Sequence, residues 1–223
     1  MRVTLKRTLL LVGSFTILIT LLFIVPRNYP SILPVFQLTE KPTVISKGTY
    51  GKTVTIDLTF GKEEIETLLK DLKAPYPHFF ISIDWMERSA PIIKVMQDKH
   101  IPIGLLGQEG AIYIEDPVLF QKEVDHFEKM MGEKPLWFRT KDYQFPVEVQ
   151  EVAWQQEVNL LSSSKYWDGE VPVLTKGDVL SVPLHQEERV DLKQLTKLLK
   201  SQSFLPIEQN IFGLKMNTKT FPE

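Results

Sequence analysis

The 223-residue chain contains no cysteine. That excludes disulfides and thiolate metal sites, although it does not fix the compartment, since many exported proteins also lack disulfides. An excess of positive charge is missing too. The formal net charge is −2, and without Arg2, Lys6 and Arg7 the remainder carries 23 basic and 28 acidic residues, net −5. Such a balance disfavours nucleic-acid binding. There is no internal repeat, and no low-complexity tract beyond one proline-rich stretch. The 43% hydrophobic and 24% charged content describes a globular chain, long enough for one domain and an appendage.

Residues 8–25, TLLLVGSFTILITLLFIV, carry no charge and are just long enough to cross a hydrocarbon core. Three cationic residues precede the run and only Arg27 follows closely, which places the N-terminus in the cytoplasm and the rest of the chain outside. The following PRNYPS lacks a small-residue cleavage pattern, which favours an uncleaved signal anchor over a removed signal peptide. The expected organisation is a basic cytoplasmic tail (1–7), a transmembrane helix (8–25), a Pro-rich spacer (26–48), a main domain (49–210) and a C-terminal tail (211–223). The protein is thus expected in the cell membrane as a single-pass protein with an extracytoplasmic domain. Pro26, Pro30, Pro34 and Pro42 make the spacer stiff and extended. The alternative for its SILPVF segment is packing on the domain.

The domain is organised around residues 53–69. Val54, Ile56 and Leu58 alternate with Thr55, Asp57 and Thr59 as in a strand; Gly61 breaks it, and Ile65, Leu68, Leu69 and Leu72 recur at helical spacing. Strand and helix patterns then alternate. Strands are expected at 78–83, 101–106, 135–138, 158–161 and 178–184. Helices are expected through Ile92, Val95 and Met96, from Asp116-Pro117 to Gly132, at 146–156, and from Asp191, with Gln194 completing a capping-box-like pair. Residues 107–115 read as a polar loop. The alternation predicts a mainly parallel α/β sheet with helices outside, open or closed into a barrel. Asp57 lies near a strand's C-terminal end, where ligand-facing groups gather in such folds.

The segments IDLTFGKEEIETLLKDL, HFFIS, IGLLG, LWFRT and DVLSVPLH resemble, in order and approximate spacing, the polysaccharide deacetylases of carbohydrate esterase family 4 (NodB homology). The first is similar to the sporulation-associated branch. The resemblance covers roughly residues 50–209. It implies a distorted (β/α) barrel of about seven strands and metal-dependent removal of N-acetyl groups from cell-wall polymers, with the metal lowering the pKa of an attacking water. It also implies a metal-binding Asp beside the base and two His in a His-x-x-x-His arrangement. Here Leu58 follows Asp57, and the two His positions are Leu106 and Gly110. In a second register of the first motif Gly61 and Lys62 stand there instead. The expectation is therefore no bound cofactor; the alternative is a divalent metal such as zinc in a rebuilt site, to which Glu109 would add an oxygen.

Other positions match better. The resemblance makes Asp57 the base, Arg139 of Phe138-Arg139 the residue that orients it, and His185 of Leu184-His185 the general acid, although Thr140 and Lys141 replace the usual prolines. Each has a structural alternative: Asp57 as a strand-end carboxylate bonded to backbone, Arg139 as an ion-pair partner, His185 as an ordinary satisfied histidine. His126 reads as a surface residue. Trp85, Trp137, Trp154 and Trp167 could stack on sugar rings. Trp167, in a loop with Tyr166, is the expected exposed platform, and Trp167, Tyr166 and Glu109 are the candidate substrate-binding residues.

Three readings follow: a deacetylase-like protein without metal that binds or regulates cell-wall polysaccharide; an active hydrolase on C–N bonds of amino-sugar polymers around Asp57, Glu109 and His185; and a structural protein partner in an envelope or sporulation complex.

Overall fold

The computed structural model describes residues 38–184 and 190–213, all within one unit, Phe36–Glu223. The expected transmembrane run and His185 lie outside the described residues. Among the described residues, no helix is long and apolar enough to cross a membrane.

Eight strands form one parallel sheet: β1 (Val44–Ile45), β2 (Thr53–Leu58), β3 (His78–Ile81), β4 (Ile103–Leu106), β5 (Trp137–Arg139), β6 (Asn159–Leu161), β7 (Lys165–Tyr166) and β8 (Val179–Pro183). Their order is β1-β6-β5-β4-β3-β2-β8-β7. The sheet curls into a half-barrel whose two-residue edge strands, β1 and β7, are not paired with each other. Among the described residues the sheet has eight strands, where about seven were expected. The alternation of strands with helices was legible, but two-residue strands leave no periodic signal.

The helices are α1 (Glu63–Asp71), α2 (Ile83–Arg88), α3 (Ala90–Asp98), α4 (Gly110–Glu115), α5 (Leu119–Met131), α6 (Val147–Gln155), α7 (Leu192–Ser201) and α8 (Ile207–Phe212). α1 buries Ile65, Leu68 and Leu69, as its spacing predicts. α5 buries Phe120, Val124 and Phe127 and stops at Gly132, which adopts a left-handed φ of 82°. Asp191 caps α7 by accepting a hydrogen bond from the Lys193 N–H at 2.8 Å.

Other expectations are corrected. The strand expected over 78–83 ends at Ile81, and α2 begins at Ile83. Residues 107–115 are not a polar loop throughout, because 110–115 form α4. Val95 faces solvent, and Ile93 takes its place in the core. The spacer does not run to residue 48: Leu38 donates its N–H to Asn159 Oδ1 at 3.0 Å, and β1 pairs with β6, so this stretch belongs to the domain. The domain also passes residue 210, since α8 continues to Phe212.

All six residues of β2 are buried. Its apolar side, with Val54, Ile56 and Leu58, packs in the larger core shared with α1, α5 and α7. Its polar side faces the inside of the curl, so the alternation marks two buried faces rather than one core face and one wet face. A smaller cluster of Phe80, Leu106, Trp137, Leu161, Val179 and Ile207 fills that inner side. α8 closes its base. Asn210 is wholly buried there; its Oδ1 accepts the Gly51 N–H at 2.9 Å and its Nδ2 donates to the carbonyls of Gly177 and Asp178 at 3.4 and 3.3 Å. Its own carbonyl accepts the N–H groups of Thr49 and Tyr50. Gly48 lies so close that an added Cβ would stand 2.5 Å from that carbonyl oxygen.

Asn210→Ala is expected to destabilise the fold by about 2–3 kcal/mol, because it strands buried backbone groups without partners. Urea unfolding of both proteins measures this; a loss below about 0.5 kcal/mol would contradict a structural role for the base plug.

Candidate functional site

Register brings the polar groups together. Asp57 and Thr55 lie on β2, Ser181 on β8 opposite Thr55, and Arg139 on β5 opposite Leu106 of β4. Arg139 reaches across the inside of the curl. Its Nη1 donates to Asp57 Oδ1 at 2.7 Å and to Thr55 Oγ1 at 2.6 Å; its Nε donates to the Leu161 carbonyl at 2.9 Å and its Nη2 to the Ser162 carbonyl at 3.0 Å. The Phe80 ring lies under the guanidinium, 4.2 Å from its carbon. Both side chains of the Asp57–Arg139 ion pair are 0% exposed.

The other Asp57 oxygen is also taken. Oδ2 accepts from the Tyr143 hydroxyl at 2.7 Å and from the Ser181 hydroxyl at 2.5 Å. Tyr143 adopts φ 57°, a left-handed conformation unusual for a tyrosine. Burial, with the Asp57 carboxylate next, pushes its hydroxyl pKa up. It is a donor at neutral pH.

Tyr143 belongs to the β5–α6 connection, which is tied down elsewhere. Asp142 accepts the Gly110 N–H with both oxygens, at 3.0 and 3.1 Å. Lys141 Nζ donates to Gln108 Oε1 at 2.7 Å, and its N–H donates to the Gln108 carbonyl. Thr140 Oγ1 donates to the Gln144 carbonyl. Beneath this connection the Tyr113 hydroxyl accepts the Gln108 N–H and donates to Glu123 Oε2 at 2.5 Å. Burial raises the Glu123 pKa.

Among the described residues, the positions at which the resemblance expects ligands do not fit a divalent metal. Leu58 and Leu106 are buried hydrocarbons. At Gly110 an added Cβ would stand 2.5 Å from the Gln144 carbonyl oxygen and 2.9 Å from Pro146 Cδ, so the β5–α6 connection occupies the space a histidine would need. Among the described residues no three His, Cys, Asp or Glu side chains converge on a point that could hold a metal. Glu109 is exposed at the start of α4 and lies apart from the Asp57 cluster's hydrogen bonds.

The structure brings Asp57 and Arg139 together. It corrects the expectation for Trp167, whose ring is 2% exposed and packs in the larger core. Trp85 and Trp137 are buried as well, their indole N–H groups donating to the Gly61 carbonyl and to Glu208. Tyr166 is 41% exposed and meets Tyr143 edge-on, with ring centroids 4.7 Å apart. His126 sits at the surface beside Glu87. Thr55, Tyr143 and Ser181 were missed. Thr55 and Ser181 were readable from strand alternation once the pairing of β2 with β8 was known; Tyr143 left no signal, because a left-handed tyrosine in a loop has no pattern.

No protein-family model matches the chain. No curated protein matches it either. Solved structures do. The crystal structure of a carbohydrate esterase family 4 pseudoenzyme from Bacillus anthracis aligns with TM-score 0.60 and 18% identity over 74% of this chain and 66% of that one. The Bc1960 peptidoglycan N-acetylglucosamine deacetylase gives TM-score 0.60 and 17% identity over 75% and 92%. The chitin deacetylase of the fungal pathogen Colletotrichum lindemuthianum gives TM-score 0.59 and 17% identity over 78% and 93%. The fold is that of the family 4 carbohydrate esterases. The chain spans just under two thirds of the pseudoenzyme's length, and a mutant of that protein is described as having restored enzymatic activity.

Arg139→Met is expected to cost about 3–5 kcal/mol, since it leaves the Asp57 carboxylate buried without its cation. Adding Asp57→Leu should recover part of the loss, and equilibrium denaturation of the double-mutant cycle measures the coupling; strict additivity would contradict the pairing.

A pH effect comes from His78, on the inner face beside Phe80. Burial, then the Arg139 charge, lowers its pKa to about 3. The unfolded chain takes up this proton below about pH 6.5 while the folded chain does not, so the contribution is complete above that pH and lost as pH falls toward 3. Stability should fall by about 1 kcal/mol per unit in that window. Glu123, with its raised pKa, acts in the opposite sense. Urea midpoints from pH 7 to 4 for wild type and His78→Phe isolate the histidine, and the variant should show the shallower acid loss.

Proposed function

We propose that the chain is a membrane-anchored, extracytoplasmic polysaccharide deacetylase-like protein that binds cell-wall carbohydrate at its strand C-terminal mouth without hydrolysing it. The observation that carries this reading is the state of Asp57. A general base must reach the proton it abstracts, directly or through one water. Asp57 is fully buried, and Arg139, Tyr143 and Ser181 occupy both of its oxygens. Leu58, Leu106 and Gly110 supply no metal ligand. The membrane part of the reading rests on residues 8–25 and the charge asymmetry around them. The sporulation-associated branch is favoured by the first motif, Ile56-Asp57-Leu58-Thr59-Phe60-Gly61.

Carbohydrate binding is supported by the surface left at the mouth, where Tyr166 offers an exposed ring of the kind sugars stack on. The pseudoenzyme of the same fold is a precedent for the scaffold without the activity.

The test is to load the purified protein with zinc or cobalt, dialyse it, and measure acetate release from chitooligosaccharides and peptidoglycan fragments alongside cosedimentation with insoluble peptidoglycan. The expected result is sedimentation without acetate, with binding weakened about fivefold by Tyr166→Ala. Stoichiometric metal and acetate release abolished by His185→Ala would overturn the reading in favour of an active hydrolase. Failure to sediment would leave the protein-partner role.

A further inference from the structure

Building on that carbohydrate-binding reading, we propose that the mouth groove selects an amino sugar with a free, protonated amine over its N-acetylated counterpart, so that its ligand is the de-N-acetylated form of a glucosamine polymer. The groove has a volume of about 360 Å³, at the small end of ligand sites, and is lined by Asp142, Tyr143, Gln144, Tyr166, Asp168 and Pro183 over the buried Trp167. Among the described residues, no lysine or arginine lines it.

The chain course sets the ligand-facing groups side by side. β7 pairs with β8, and the Trp167 N–H extends that ladder to the Ser181 carbonyl at 3.0 Å. Trp167 turns into the core, while Tyr166, the last residue of β7, and Asp168, in the bend beyond it, are exposed and line the groove. The Tyr166 ring is held in place by Tyr143, whose hydroxyl is fixed on Asp57. Asp168 makes no hydrogen bond or ion pair among the described residues, whereas Asp142 is oriented by the N–H groups of Gly110 and Gln144. A sugar ring on Tyr166 thus has the Asp168 carboxylate, in the bend just beyond the strand, to meet its amine.

The acetylated form is disfavoured because an acetamide carries no charge for Asp168 to meet. The space toward Asp57 is filled by Tyr143, and Leu58 and Leu106 are packed below.

The experiment is isothermal titration calorimetry of the full chain in detergent micelles with a fully N-acetylated chitotetraose and with the glucosamine tetramer at the same ionic strength. The glucosamine tetramer should bind about fivefold more tightly, the size of a well-placed surface ion pair. Asp168→Asn should remove that preference, and Tyr166→Ala should weaken binding of both tetramers. Asp168 is exposed, and unfolding curves verify that its variant is folded. Equal or tighter binding of the acetylated tetramer overturns the selectivity while leaving carbohydrate binding standing. A preference that survives Asp168→Asn overturns Asp168 as its source. Binding of neither tetramer removes the carbohydrate-binding reading itself.

Discussion

Arg139 stands where four strands must be held against the inside of a curled sheet. Its guanidinium spends its donors on β2, on the carbonyl of Leu161 in β6 and on that of Ser162 beyond it, and it lies within 3.4 Å of Ser181 on β8. A planar fork with fixed donor directions suits that task better than a point-like ammonium. An arginine without a counter-charge in such a place would be strongly destabilising, and Asp57 supplies that charge. The half-barrel, whose edges do not close on each other, thus gains a polar tie across its interior that hydrophobic packing alone would not direct.

The mouth follows from the same tie. With one Asp57 oxygen turned to Arg139, the other is left pointing toward the strand ends, where a buried lone pair must be satisfied. Ser181 and Tyr143 do this. Tyr143 reaches Asp57 from a left-handed backbone position, and the flanking residues hold the loop to Gln108 and Gly110 at the neighbouring strand end. Covering Asp57 and crowding Gly110 are therefore one structural event. That link explains why residues 110–115 form a glycine-started helix packed under the β5–α6 connection.

Much of the fold was legible because long strands and amphipathic helices carry a period: β2, α1, α5 and α7 were readable from Val54, Ile65, Phe120 and Leu195 and their repeats. The two-residue edge strands and the helix at 110–115 were not, since each is set by neighbours distant in sequence. In the site, Asp57 and Arg139 were legible through motif resemblance, yet their burial was not. Trp167 shows the reason. In sequence it looks like a loop aromatic next to polar residues; in space the strand ladder continues one residue further and turns it inward, leaving its neighbour Tyr166 outside. Both residues of β7 are exposed, so alternation does not reveal which neighbour turns inward; the pairing with β8 does, and a single chain does not display that register.

Retention of Asp57 and Arg139 is thus a weak guide to chemistry. A buried pair of this kind can serve two ends, holding the sheet and presenting a base. With the Tyr143 and Ser181 hydroxyls on the second Asp57 oxygen, the pair as it stands serves the first. Its loss would still expose an uncompensated charge in the interior, so stability alone suffices to keep both residues. On the proposed carbohydrate-binding reading, the ligand-facing residues lie one layer further out, where Tyr143 meets Tyr166 and the groove begins.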